Sequence, residues 1–446
     1  MWKNSQNTFR VHSSFLSVLL ILPHIIENLI TMFGIIMFMV ILSRDTELEE
    51  IKSLGNWVYI CGRRKTGKTF FVKNFTDYDM YFFINRDGTA FTEDGRRISY
   101  ETFFELVREN IGTKRIVIDE MHRLPDEFFD YLHSTGKKGR IIAVSSTLWL
   151  SQKLLGSGSP LLGLFSLYIF GLADQCDVLS SLKTASPVER LESALYLREP
   201  MLAGDFESDI VEFLSNYLHS NRLTLQEITG EIFSEERRNI SAVYEGILRA
   251  IADGKGKSTE ISSYLFSRKL IPKDNPGLIQ RYLDVLVKIG FIEKIETERR
   301  SFHYIHVSPL FRLHFYLDEK YGYTELDIPK KYIEEVVRNL LPRDVEQFMA
   351  DMFSRKLGLK KIKINNPEID IALKRFDRIV LVGEVKWRKK VSKTDVLKAE
   401  EKLSSFECER ILIVPDKREI DCHGDMKILD ARDILSLCEG NMQLNI

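Results

Sequence analysis

The stretch from Trp57 to Phe70 reads W-V-Y-I-C-G-R-R-K-T-G-K-T-F. A short apolar run, Val58–Cys61, leads into Gly62-Arg63-Arg64-Lys65-Thr66-Gly67-Lys68-Thr69. That is the G-x-x-x-x-G-K-T pattern of a phosphate-binding loop. The apolar run predicts a strand and Phe70–Phe75 predicts a helix, so the motif stands at a strand-to-helix junction. Its glycines let backbone N–H groups turn toward an anion, and the helix N-terminus adds partial positive charge. Residues 62–69 are therefore expected to bind a nucleotide. Lys68 would sit at its β- and γ-phosphates and Thr69 on Mg²⁺.

A second motif follows about fifty residues later, Lys114-Arg115-Ile116-Val117-Ile118-Asp119-Glu120. Three β-branched residues in a row suit a strand buried on both faces of a parallel sheet. Asp119 at its C-terminal end is expected to hold Mg²⁺, and Glu120 to orient or deprotonate the attacking water. A third strand, Arg140–Val144, ends in Ser145-Ser146-Thr147. Ser145 or Ser146 there would lie between the two motif strands, within reach of the γ-phosphate. The competing reading is a plain strand-to-loop transition. Met80–Asn85 reads as a further strand and Tyr100–Glu109 as a helix. The alternation predicts an α/β, doubly wound parallel sheet that binds its ligand at the strand C-termini.

At 446 residues the chain is long enough for several domains, and its net charge of −1 names no partner. Five scattered cysteines (Cys61, Cys176, Cys408, Cys422, Cys438) without C-x-x-C spacing argue for a reducing compartment and against a disulfide framework. Residues 1–38 are apolar but interrupted. The clean run Leu29–Leu42 has fourteen residues. As a helix it would span roughly 21 Å, short of the ~30 Å hydrocarbon core. Two readings stay open: a membrane anchor, or a start at Met37 or Met39 that gives a cytoplasmic protein.

The expected organisation is an ATPase core at 39–184, a helical lid at 185–240 and a winged-helix unit at 241–310. A linker at 311–335 and an α/β nuclease-like unit at 336–446 complete it. Within 241–310 three helices precede a hairpin, as in a helix-turn-helix variant. Lys273, Arg281, Lys288, Arg299 and Arg300 would face DNA; the alternative reading is a module that serves as a protein contact.

Residues 340–446 carry a second candidate chemistry. Glu368–Leu373 and Ile379–Trp387 read as paired strands, with position 370 opposite 384. Asp370 and Glu384 would then share one face with Lys386 and ligate Mg²⁺ or Mn²⁺. Lys386 would serve the attacking water at a phosphodiester, and Glu346, on a helix read at Asp344–Lys356, would add a carboxylate. Residues 355–393 hold thirteen Lys/Arg against four Asp/Glu, a basic rim suited to a nucleic-acid backbone. The bland alternative is a solvated sheet edge.

In this order the motifs resemble the archaeal ATPase family, a branch of the AAA+/STAND P-loop NTPases. The residues that carry the resemblance are Arg44-Asp45-Thr46-Glu47-Leu48, Gly62-Arg63-Arg64, Asp119-Glu120 and Gly158-Ser159-Pro160-Leu161. Asp45 departs from the usual glutamate, and no arginine finger is assigned. The resemblance implies an ATP-hydrolysing core, a winged helix and a C-terminal domain similar to PD-(D/E)xK nucleases, with Asp370, Glu384 and Lys386 in its motif. ATP, DNA and a second copy of the chain are the expected partners. Two alternatives remain: an ATP-regulated, metal-dependent DNA endonuclease, and a non-catalytic nucleotide switch.

Overall fold

The computed structural model describes residues 40–182, 186–418, 420 and 426–442. Most of the apolar N-terminal segment, with the expectations placed on it, lies outside the described residues. Among the described residues no helix is long and apolar enough to cross a membrane.

The first sheet has seven strands: β1 (Trp57–Cys61), β2 (Met80–Ile84), β3 (Ala90–Thr92), β4 (Arg97–Ile98), β5 (Arg115–Asp119), β6 (Arg140–Ser145) and β7 (Ser166–Ile169). Their order is β4-β3-β2-β5-β6-β1-β7. The five strands from β2 to β7 in that order run parallel, and β3 and β4 form an antiparallel edge. Strand β1 is buried throughout. Trp57, Tyr59 and Cys61 feed the core on one face, and Val58 and Ile60 feed the core on the other. This two-sided burial is why the motif strands are continuous apolar runs.

The helices Pro187–Leu197, Pro200–Ala203, Ile210–Ser220 and Arg222–Glu235, the expected lid, follow the sheet, and Glu199, Glu231 and Glu235 of this segment pair with Arg63 and Arg64 of the loop after β1. Three helices, Ala242–Ala252, Ser258–Ser267 and Pro276–Lys288, then precede the hairpin of β8 (Ile292–Thr297) and β9 (Phe302–His306).

The remaining strands are β10 (Lys360–Asn365), β11 (Glu368–Ile369), β12 (Ile371–Arg375), β13 (Arg378–Val385), β14 (Glu409–Ile413) and β15 (Lys427–Leu429). With β8 and β9 they form one sheet in the order β15-β14-β13-β12-β10-β8-β9, with β11 pairing β10. Strand β8 pairs β10 in parallel, Glu296 opposite Ile362. The spans 241–310 and 336–446, expected as separate units, therefore share a sheet. The pairing covers an edge of β8 that would otherwise stay open.

Three further expectations are corrected. The span 311–335 is no plain linker, because the helix Pro309–Tyr321 fills its first half. Ser308 caps that helix, Pro309 takes the first turn and Gly322 ends it at φ 58°. The helix carrying Glu346 runs from Lys330 to Leu357, with Pro342 inside. Cys176 and Cys438 are joined in a disulfide that ties the helix Gln175–Ser181 to the helix Ala431–Cys438. Their Cα atoms lie 4.9 Å apart across 262 residues of sequence, a closeness that spacing does not reveal.

Candidate active site

The loop after β1 takes its shape from two glycines. A Cβ on Gly62 would lie 2.1 Å from the Phe170 carbonyl oxygen, so no side chain fits. Gly67 sits at φ 87°, the left-handed region that glycine enters freely. The helix Lys68–Phe75 starts immediately after it.

Lys68 is buried, and its Nζ donates to the Gly62 and Arg63 carbonyls at 2.9 Å each. Burial pulls its pKa down to about 8, against the opposing pull of Glu120 and Asp119. The Thr69 hydroxyl donates to Asp119 Oδ2 at 2.7 Å, so the expected pair of Mg²⁺ ligands is already side by side. Tyr81 donates to the same oxygen at 2.9 Å. Burial raises the Asp119 pKa, and the neighbouring Glu120 charge adds to the rise. Two hard oxygen donors, the Thr69 hydroxyl and the Asp119 carboxylate, suit Mg²⁺.

Glu120 takes φ 59°, a strained position for a residue with a side chain. Its Oε2 accepts from the Ser146 amide at 3.1 Å and the Ser146 hydroxyl at 2.8 Å. Strand β6 does lie between β1 and β5. Ser145, however, is fully buried and bonds His122 Nδ1 at 2.9 Å and Thr147 Oγ1 at 2.8 Å. Successive residues point to opposite sides, and Ser146 takes the position facing the site.

Lys68, Thr69, Glu120 and Ser146 line a cavity of about 1060 Å³. Val40–Leu42 and Pro200, Met201, Ala203 and Gly204 form its other wall. That volume is ample for a nucleotide, and the apolar wall suits a base.

The side chains of Arg63 and Arg64, expected at the nucleotide, are engaged by the lid. Arg63 pairs with Glu199 at 2.7 Å and lies 5.0 Å over the Phe311 ring. Arg64 pairs with Glu231 at 3.0 Å and Glu235 at 2.6 Å. Thr66 turns its hydroxyl back to the Arg63 carbonyl at 2.9 Å. Lys65 is exposed at φ 69°. Arg63 and Thr66 thus keep their side chains out of the cavity, whereas Arg64 and Lys65 line it. Sequence reasoning missed Tyr81, His122 and Arg123, and it missed the role of Arg44. Arg44 donates to the Thr66 carbonyl at 2.9 Å and pairs with Glu47 at 2.9 Å. The Arg44-to-Leu48 box held that signal without naming the contact.

At the C-terminal constellation, Ile371 faces Gly383, and the same register puts position 370 across from 384. Asp370 lies at the break between β11 and β12 and accepts from the Val385 amide at 2.9 Å. Lys386 Nζ is 2.7 Å from Glu384 and 3.9 Å from Asp370. The other Glu384 oxygen pairs with Lys402. Burial, then the Asp370 charge, raises the Glu346 pKa to about 7. The four residues thus converge, but lysines occupy both Glu384 oxygens. Among the described residues no group of three His, Cys, Asp or Glu side chains could hold a metal ion. As arranged, the site does not fit Mg²⁺ or Mn²⁺. Trp387 is buried and donates to Glu192 at 2.8 Å, so it packs rather than presenting its ring.

Residues 55–168 match the family model of an AAA domain, and this stretch holds the phosphate loop, Asp119 and Glu120. The region resembles an AAA domain and has an α/β fold with a mainly parallel sheet. No curated protein matches. Among solved structures, the ORC1 protein of Aeropyrum pernix in complex with DNA is 14% identical at a TM-score of 0.27, covering 64% of this chain and 95% of that one. The Aeropyrum pernix ORC2 protein with ADPNP and ADP is 12% identical at a TM-score of 0.34, covering 69% and 95%. The Drosophila ORC bound to DNA is 16% identical at a TM-score of 0.23, covering 67% and 87%. Scores of this size carry no inference.

Proposed function

We propose that this chain is an ATPase of the archaeal ATPase type. The observation that carries the reading is the 2.7 Å contact between Thr69 and Asp119, made beside a buried Lys68 and a Glu120 held by Ser146. Mg²⁺ on Thr69 and Asp119 would neutralise charge on the β- and γ-phosphates. Lys68 leaves the loop carbonyls to meet those phosphates. Glu120, fixed by Ser146, orients the attacking water and accepts its proton. The loop amides from Arg63 to Thr69 hold the phosphate chain, and Val40–Leu42 with Pro200, Met201, Ala203 and Gly204 enclose the base.

The C-terminal half would engage DNA. Three helices and a hairpin support a winged helix, with Arg281, Lys288, Arg299 and Arg300 exposed. The basic stretch 355–393 adds a phosphate-binding rim. ATP turnover by the full chain, with and without duplex DNA, tests the proposal. Lys68→Ala and Glu120→Gln should each abolish turnover, and unchanged turnover in both variants would refute it.

A second reading, a DNA endonuclease regulated by ATP, rests on the convergence of Asp370, Glu384 and Lys386; it requires a divalent ion that displaces Lys386 and Lys402 from Glu384, and metal-dependent nicking that Asp370→Ala abolishes.

A further inference from the structure

The face of the cavity around Glu120 is unusually rich in arginine. Arg64, Arg86 and Arg123 line it beside Lys68 and Thr69. They arrive from three different elements: the phosphate loop, the end of β2, and the turn Met121–Arg123 after β5. All three meet at the C-terminal edge of the sheet, where phosphate chemistry is done in such folds.

Two carboxylates from one lid helix answer them. Glu231 and Glu235 stand one turn apart on Arg222–Glu235 and so share a face. Glu231 pairs with Arg64 at 3.0 Å and Arg86 at 3.1 Å. Glu235 pairs with Arg64 at 2.6 Å and lies 3.8 Å from Arg123. The second oxygen of Glu235 is buried without a hydrogen-bond partner. A carboxylate that satisfies only one of its oxygens is a weak competitor for guanidinium forks that match phosphate better.

Arg123 is the best placed of the three. Its Nη1 donates to the Ile84 carbonyl at 2.9 Å, which fixes the side chain. Its Nη2 lies 3.9 Å from Glu120 Oε1 and 3.8 Å from Glu235 Oε1, between the water-orienting carboxylate and the lid. The side chain is only 14% exposed, so charge placed beside it is poorly screened.

We propose that Arg123, with Arg64 and Arg86, distinguishes a nucleoside triphosphate from a diphosphate, and that Glu231 and Glu235 hold these arginines until a γ-phosphate takes them. The inference rests on the ATPase reading above. A γ-phosphate brings the charge and the oxygens that match the arginine set, and a diphosphate does not reach it. Triphosphate binding then frees the lid helix Arg222–Glu235, and hydrolysis restores the latch. The lid is thereby set by the terminal phosphate rather than by the base.

The test uses the full chain with Mg²⁺ and compares the affinity of ATPγS and ADP by calorimetry. The wild type should bind both. Glu231→Gln with Glu235→Gln removes the competing charge but keeps the shape, and should tighten ATPγS roughly tenfold while leaving ADP nearly unchanged. Arg123→Met should weaken ATPγS by a similar factor and spare ADP. Arg123→Lys, which keeps the charge and loses the fork, should fall between the two. Equal shifts for both nucleotides, or none, would overturn the inference and leave the ATPase reading standing. A wild type that binds neither nucleotide would remove both.

Discussion

The contact between Arg63 and Glu199 offers the sharpest energetic test. Arg63 is 5% exposed and Glu199 fully buried, at 2.7 Å. Arg63 also stacks on Phe311, so it joins the phosphate loop to the lid and to the helix Pro309–Tyr321. Replacing Glu199 by alanine leaves a guanidinium inside the protein with no countercharge. Breaking a buried pair in this way costs about 3–5 kcal/mol. Replacing both partners, Arg63→Met with Glu199→Leu, removes the charge together with its partner and should cost far less than the two single changes added. The assay is a double-mutant cycle read by urea unfolding, with hydrogen exchange of the Gly62–Lys68 amides as a local readout. Glu199→Ala should speed exchange in the loop most. Single variants that each cost under about 1 kcal/mol, with additive effects in the double, would refute the reasoning.

Other consequences follow from the same contacts. Gly62→Ala should abolish nucleotide binding, measured by calorimetry, because its Cβ would clash with the Phe170 carbonyl. Glu346 has a pKa raised to about 7, so the folded protein holds a proton that the unfolded chain releases near the ordinary glutamate value of 4.5. Stability from this group therefore falls as pH rises from about 4.5 to 7. Glu346→Gln should flatten that fall in a series of thermal melts. Alkylation followed by mass measurement under denaturing, non-reducing conditions should leave Cys176 and Cys438 unmodified. Reduction should lower stability by up to roughly 5 kcal/mol, given the long loop the disulfide closes.

The candidate nucleotide site is largely legible because its signals are local. Gly62 and Gly67 are demanded by steric contact and by φ, and the strands carrying Asp119 and Ser145 are buried on both faces. Of the two serines read at the end of β6, Ser146 reaches Glu120 and Ser145 turns to His122, a choice that a strand end does not announce. The helix Pro309–Tyr321 was missed although Ser308, Pro309 and Gly322 mark its ends. Leu310 to Phe315 are buried without a break, so there is no polar stripe to reveal a period. The ion pairs of Glu231 and Glu235 are equally hidden in the sequence, because the arginines that meet them come from distant segments. Parallel pairing of β8 with β10 depends on a register between strands some seventy residues apart, which no short pattern encodes.

That pairing has a mechanical consequence. A hydrogen-bonded ladder resists stretching in its plane and yields mainly in twist. The hairpin β8–β9 and the strand bearing Glu384, with Asp370 just before its neighbour β12, therefore turn together, as a plate does when one corner is lifted. A torque applied to the three helices before the hairpin would reach the far strands without a flexible joint between them. Truncation anywhere between Val307 and Lys360 would tear the plate, leaving two raw edges that invite aggregation rather than two working halves.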